Sequence, residues 1–165
     1  MVSSRRIRGV DDLGAWLVKG NADHVDLAGR FAREPRVTRW CVQPSYRLGL
    51  MRAGQPVLFW ASGSRRRDLA YGIWGLGRLT GPPRQGDGWA MPMDLVVAEP
   101  GGRLPREELR ADPRLAGLEV LRQPQGANPS FVDVEEFAVI RELLGVTPGG
   151  GAGPRPAGQA RPGSG

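Results

Sequence analysis

The chain has 165 residues, room for one domain of ordinary size, and 40% of it is hydrophobic, enough to bury a core. Twenty-two Arg and a single Lys, Lys19, stand against 17 acids, a formal net charge of +6. One histidine, His24, and one cysteine, Cys41, exclude an internal disulfide framework and a Cys/His zinc cluster, and argue against Cys–His or Ser–His–Asp catalysis.

No run of eighteen apolar residues offers a membrane span, and no secretory leader pattern is present. The expectation is a cytoplasmic, monomeric binding domain that needs no metal or cofactor. The charge is uneven. From Met1 to Arg67 there are 13 bases and 5 acids, a net +8, whereas Asp68 to Val146 holds 8 bases and 12 acids, a net −4. A GC-rich genome accounts for Arg over Lys but not for this polarity. It suggests one cationic surface that attracts a polyanion such as nucleic acid, with plain solubility as the alternative.

Residues 1–12 are basic, then acidic, and read as a loose leader. Residues 13–146 form the folded domain. Residues 147–165, all Gly, Pro, Ala, Arg, Thr, Ser and Gln, read as a disordered tail, because nothing there repays the entropy of ordering. Within the domain, Ala15 to Lys19 is a short apolar strand closed by Gly20-Asn21. Leu27 and Phe31, four residues apart, predict a short helix over Val25 to Arg33. Leu48 to Met51 suggests a helical turn before Gly54. Pro56 to Ser62 is a buried strand ending in the loop Gly63-Ser64-Arg65-Arg66-Arg67. Tyr71 to Thr80 is a strand whose glycines mark points where another backbone passes close. Met91, Met93, Leu95 and Val97 alternate along a half-buried strand. The last helix is the clearest: Asp133 caps it, Glu136 completes a capping-box variant, Phe137, Ile140 and Leu144 line one stripe, and Gly145 stops it. The fold class that follows is a small mixed α/β (α+β) domain with a curved sheet or partly open barrel of short strands.

The string Gly72, Gly75, Gly77, Gly81 lies inside a strand pattern and not between a strand and a helix, so it cradles no phosphate. His24 has no second ligand and reads as a surface or capping residue. Cys41 reads as a small buried hydrophobe. Arg65, Arg66 and Arg67 are either a solvated loop or a set of phosphate contacts. The five tryptophans are more informative. Trp16, Trp60 and Trp74 sit in apolar runs and can be core. Trp40 and Trp89 lie in polar, loop-like segments, where an exposed indole makes sense as a stacking surface for a planar base.

The ordered set of segments resembles the EVE domain family, a PUA-like branch related to the YTH domains. Those segments are Ala15-Trp16-Leu17-Val18-Lys19-Gly20-Asn21, Arg39-Trp40-Cys41-Val42-Gln43-Pro44-Ser45-Tyr46-Arg47, Met51 to Gly63 and Gly72 to Pro82. Leu121 to Gln125, Asn128-Pro129 and Glu135-Glu136 extend the match over nearly all of Leu13 to Val146. The resemblance implies a PUA-like barrel of five or six strands flanked by short helices, with one pocket for a flipped-out, modified base. It implies Lys19, Asn21, Trp40, the Cys41 carbonyl, Trp60, Ser62 and Trp89 as the base pocket. Beside it, Arg39, Arg47, Arg65, Arg66 and Arg67 are the expected phosphate contacts. The EVE pattern usually carries an Asn or Arg-Asn pair near Ser45 to Arg47; here Arg47 stands alone. The implied function is non-catalytic reading of a methylated base in DNA or RNA. Two rivals remain: an amidohydrolase of the related ASCH type using Lys19, and a PUA-like RNA binder indifferent to modification.

Overall fold

A computed structural model describes residues 9–145. Most of the expected leader and the whole of the expected tail lie outside the described residues; of the leader, Val10–Asp12 forms a 3-10 turn. The elements are β1 (Leu13–Asn21), α1 (Leu27–Arg33), β2 (Arg36–Val42), β3 (Pro56–Ser62), β4 (Gly72–Leu79), β5 (Arg84–Gln85) and β6 (Trp89–Val97). They continue with β7 (Leu104–Pro105), α2 (Arg106–Ala111), α3 (Glu119–Arg122), β8 (Ser130–Asp133) and α4 (Val134–Leu144). No helix among them is long and apolar enough to cross a membrane.

Six strands run in the order β2-β6-β4-β3-β1-β8, with β5 paired to β6 and β7 to β4. β1 and β3 are parallel, and the other pairs are antiparallel. The sheet curls. β2 and β8 stand at opposite ends of the order, yet Val37 and Val42 from one and Phe131 from the other belong to the same buried cluster. This is the mixed, open-barrel architecture expected, its main path six strands long.

Alternation along the strands sorts side chains onto two faces. Trp16 and Val18 of β1 and Val57, Phe59 and Ala61 of β3 point into the barrel, where Leu27 and Phe31 of α1 close one side. Ala15, Leu17, Leu58 and Trp60 point outward beneath Leu109, Leu118, Phe137 and Ile140 from the helices. Buried on both faces, β1 and β3 read as unbroken apolar runs, which is why their sequences stood out. β4 passes close to β6: a Cβ at Gly77 would collide with the Asp94 carbonyl oxygen and lie 2.5 Å from the Leu95 Cα. α4 carries the full capping box, with Asp133 Oδ1 accepting from the Glu136 N–H at 2.7 Å and Glu136 Oε1 from the Asp133 N–H at 3.1 Å. It ends at Gly145 in the left-handed region, φ 73°.

Four strands were not foreseen: the short β5, β7 and β8, and the longer β2. β2 is an edge of the main path with a register shift between Val37 and Arg39. That irregularity breaks the period of two, so only Val37 and Val42 are fully buried and no alternation shows in the sequence.

Candidate nucleic-acid site

The predicted residues gather where the parallel strands β1 and β3 end. Lys19 pairs with Trp60 there, and Asn21 with Ser62. Both chains leave the sheet at this point, one toward α1 and one into the arginine loop. Asn21 opens an Asx turn, its Oδ1 accepting from the Asp23 N–H at 2.9 Å. The Asp23 carboxylate then takes the Ser64 N–H at 3.0 Å, the Arg65 N–H at 2.9 Å and the Ser64 hydroxyl at 3.1 Å. Those backbone donors, Arg65 first, hold the Asp23 pKa below the ordinary carboxylate value. One carboxylate therefore fixes the loop by its backbone and leaves its side chains outside. Arg65 and Arg67 are exposed and have no ion pair among the described residues. Arg66 is taken by Asp68, with Nε and Nη2 donating at 2.8 and 2.6 Å.

Trp40 is not in a loop but in β2, half-buried. Its indole Nε1–H donates to the Lys19 carbonyl at 2.9 Å. Its ring stands edge-on to Phe59, centroids 4.8 Å apart at 89°, and tilted against Phe31 at 6.4 Å. Gly20 makes room beneath it; a Cβ there would lie 3.0 Å from the Trp40 Cζ2 and 2.7 Å from the Phe59 ring. The Arg30 guanidinium carbon lies 4.9 Å from the Trp40 ring centroid. Arg39, the preceding residue, is exposed opposite Pro92 of β6.

Other expected residues are placed differently. Trp89 begins β6 instead of a loop, pairing with Val42 while Trp40 pairs with Met91, so the two indoles share a sheet face as diagonal neighbours. Trp89 is half-buried against the interior cluster, and the ring contacts of Trp40 run to the two phenylalanines. Trp60 is 4% exposed on the outer, helix-covered face. Period-two alternation sets it opposite Phe59, so it does not form a wall with Trp40. Ser62 donates its hydroxyl to the Gly20 carbonyl at 3.2 Å. Cys41 is exposed and not a buried hydrophobe, because it alternates with Trp40 and Val42 on the edge strand.

A second cluster, whose members were not expected to meet, lies beside the first. Arg47, expected on phosphate, is instead buried against Glu119, Nη1 and Nη2 donating to the two carboxylate oxygens at 2.7 and 2.9 Å, with Nη1 also reaching the Pro129 carbonyl at 2.9 Å. The two side chains are 12% and 16% exposed. Burial works against the Arg47 charge, yet the Glu119 and Tyr46 side chains outweigh it and keep its pKa above the ordinary guanidinium value. Lys19 donates Nζ to the Pro124 and Gly126 carbonyls, both at 3.3 Å. Burial lowers its pKa, Glu119 opposes that and Arg47 adds to it.

Asn128 joins this cluster to Trp40. Its Oδ1 accepts from the Lys19 N–H at 3.1 Å, and its Nδ2 donates to the Cys41 carbonyl at 3.4 Å and the Lys19 carbonyl at 3.5 Å. Its own carbonyl accepts from the Gln43 N–H at 2.8 Å. The gap between β2 and β8 is thus stitched by one residue. A polar Asn-Pro step just before a buried strand was the available hint. Among the described residues, no group of three His, Cys, Asp or Glu side chains assembles a metal site.

No known protein-family profile matches the chain. No curated protein matches it by sequence. Solved structures do match it. Human THYN1 protein, in complex with 5-methylcytosine-containing DNA, superposes with TM-score 0.55 at 19% identity, over 81% of this chain and 99% of that one. The chain shares the fold of that structure. A protein from Agrobacterium tumefaciens superposes with TM-score 0.59 at 14% identity, over 84% of this chain and 98% of its own. A hypothetical protein from Leishmania major gives TM-score 0.58 at 18% identity, over 82% and 97%. At these identities the likeness is one of fold, and the shared fold spans nearly the full length of each neighbour.

Proposed function

We propose that this chain is a non-catalytic module that binds nucleic acid through a modified, methylated base, with Trp40 as the stacking platform. The observation that carries the reading is the setting of Trp40. It is a half-exposed indole on the edge strand, fixed by a main-chain hydrogen bond and an edge-on phenylalanine, with Arg30 lying against its ring. The fold shared with a methylcytosine-DNA complex supports the same reading.

In this mechanism Arg39, Arg65 and Arg67 hold the phosphates, while one nucleotide is extruded at a cost of a few kcal/mol. Stacking of the base on Trp40 returns about 1–3 kcal/mol. Trp89, on the same sheet face, is the second aromatic. Asn21, its oxygen already engaged by Asp23, has its amide N–H groups left to read the base edge. A methyl group adds apolar area against the ring. Lys19 serves as a strut here and not a nucleophile, since two carbonyls accept from its Nζ.

The test is a titration of wild type and Trp40→Ala with a duplex carrying a single 5-methylcytosine and with its unmodified counterpart. The expected outcome is preference for the methylated duplex in wild type, and loss of about 5- to 150-fold in affinity in the variant, the equivalent of about 1–3 kcal/mol. Equal affinity of both proteins for both duplexes ends the proposal. Methylated single-stranded RNA in a parallel titration shows which polymer is preferred.

A further inference from the structure

Arg30 was singled out by no motif, yet its surroundings in the fold are unusual. It lies on the exposed side of α1, with its guanidinium carbon 4.9 Å from the Trp40 centroid and 5.9 Å from that of Phe31. Two carboxylates lie one helical turn away on either side, and each is engaged elsewhere. Asp26 Oδ1 accepts from the Gly29 N–H at 3.0 Å, and Glu34 Oε1 accepts from the Arg36 N–H at 3.0 Å. Arg30 therefore has the spacing for an i,i+4 ion pair in both directions and makes neither among the described residues. Its charge rests on aromatic rings instead.

A guanidinium over a half-buried indole is a weak contact, weaker than a nucleobase stacked on the same face. It is also flat, delocalised and bidentate, so it leaves a ring for a phosphate at little cost. We infer that Arg30 occupies the stacking face of Trp40 in the free protein and moves to the phosphate beside the extruded nucleotide when a base takes that face. It is lid and clamp in turn. This inference rests on the function proposed above and adds to it a residue that couples base entry to backbone capture. The free protein thereby avoids presenting a bare indole to solvent, and the binding step recovers a phosphate contact as the lid is displaced.

The experiment compares wild type with Arg30→Gln, which keeps a polar side chain and removes the guanidinium and its charge, in two measurements. In protein labelled with 5-fluorotryptophan, the Trp40 fluorine resonance, assigned by its disappearance in Trp40→Phe, shifts in Arg30→Gln without any DNA. In titrations of the 5-methylcytosine duplex across a salt series, Arg30→Gln loses about three- to tenfold in affinity at low salt, and the slope of log K against log salt falls by about one. Thermal melts confirm that the surface variant is folded. A variant with wild-type affinity and slope overturns the inference. Tighter binding with an unchanged slope overturns it too, because Arg30 is then a lid alone. Absence of any wild-type binding brings down the underlying function as well, and is distinguished by appearing before any variant is made.

Discussion

Arginines occupy two very different places in this molecule. At the cluster beneath the site, Arg47 is largely buried, bidentate to Glu119 and bonded to the Pro129 carbonyl. At the rim, Arg30, Arg39, Arg65 and Arg67 form no ion pair among the described residues, and the loop that bears two of them is fixed through its backbone by Asp23. The same side chain is a strut where desolvation demands a partner and an open hand where water supplies one. Counting charge along the chain cannot separate these roles. Partner geometry can.

The sharpest way to break the contrast is at the strut. Arg47→Ala leaves the Glu119 carboxylate largely buried without its partner, and the expected cost is about 3–5 kcal/mol of stability, measured by chemical denaturation. The double variant Arg47→Met, Glu119→Leu recovers much of that loss, since a packed apolar pair avoids the desolvation penalty. Asn128→Ala comes next. It removes the bonds to the Lys19 N–H and to the Lys19 and Cys41 carbonyls, with an expected loss of about 1–3 kcal/mol in the same assay. The smallest effects belong to the rim. Arg65→Gln and Arg67→Gln leave the melting temperature within error. Each lowers the salt slope of DNA binding by about one and weakens methylated and plain duplexes alike. Rim variants that unfold the protein, or an Arg47 variant that leaves stability untouched, would erase the distinction.

The sequence told some of this and hid the rest for identifiable reasons. Pro56 to Ser62 was legible as a strand to the residue because both its faces are buried. The final helix was legible because its cap, stripe and stop are local signals. β2 was not, since its register shift and its edge position leave Arg39, Trp40 and Cys41 looking like loop. Trp40 stood out in the sequence for its polar company, and that company is a strand. Trp60 was misplaced because an apolar run does not announce which of its two faces a side chain takes. The Lys19, Arg47, Glu119 and Asn128 cluster joins residues as many as 109 apart in the chain. It exists only once the sheet has curled, so no local pattern could carry it.

The Lys19 carbonyl accepts from both the Trp40 indole and the Asn128 amide. The orientation of the aromatic plane is therefore dictated by the peptide of a central strand and not by a rotamer search at the surface. A guest that lands on it meets a plate already bolted in position, and little of the encounter's free energy goes into arresting a swinging side chain, a saving of about 0.5–1.5 kcal/mol.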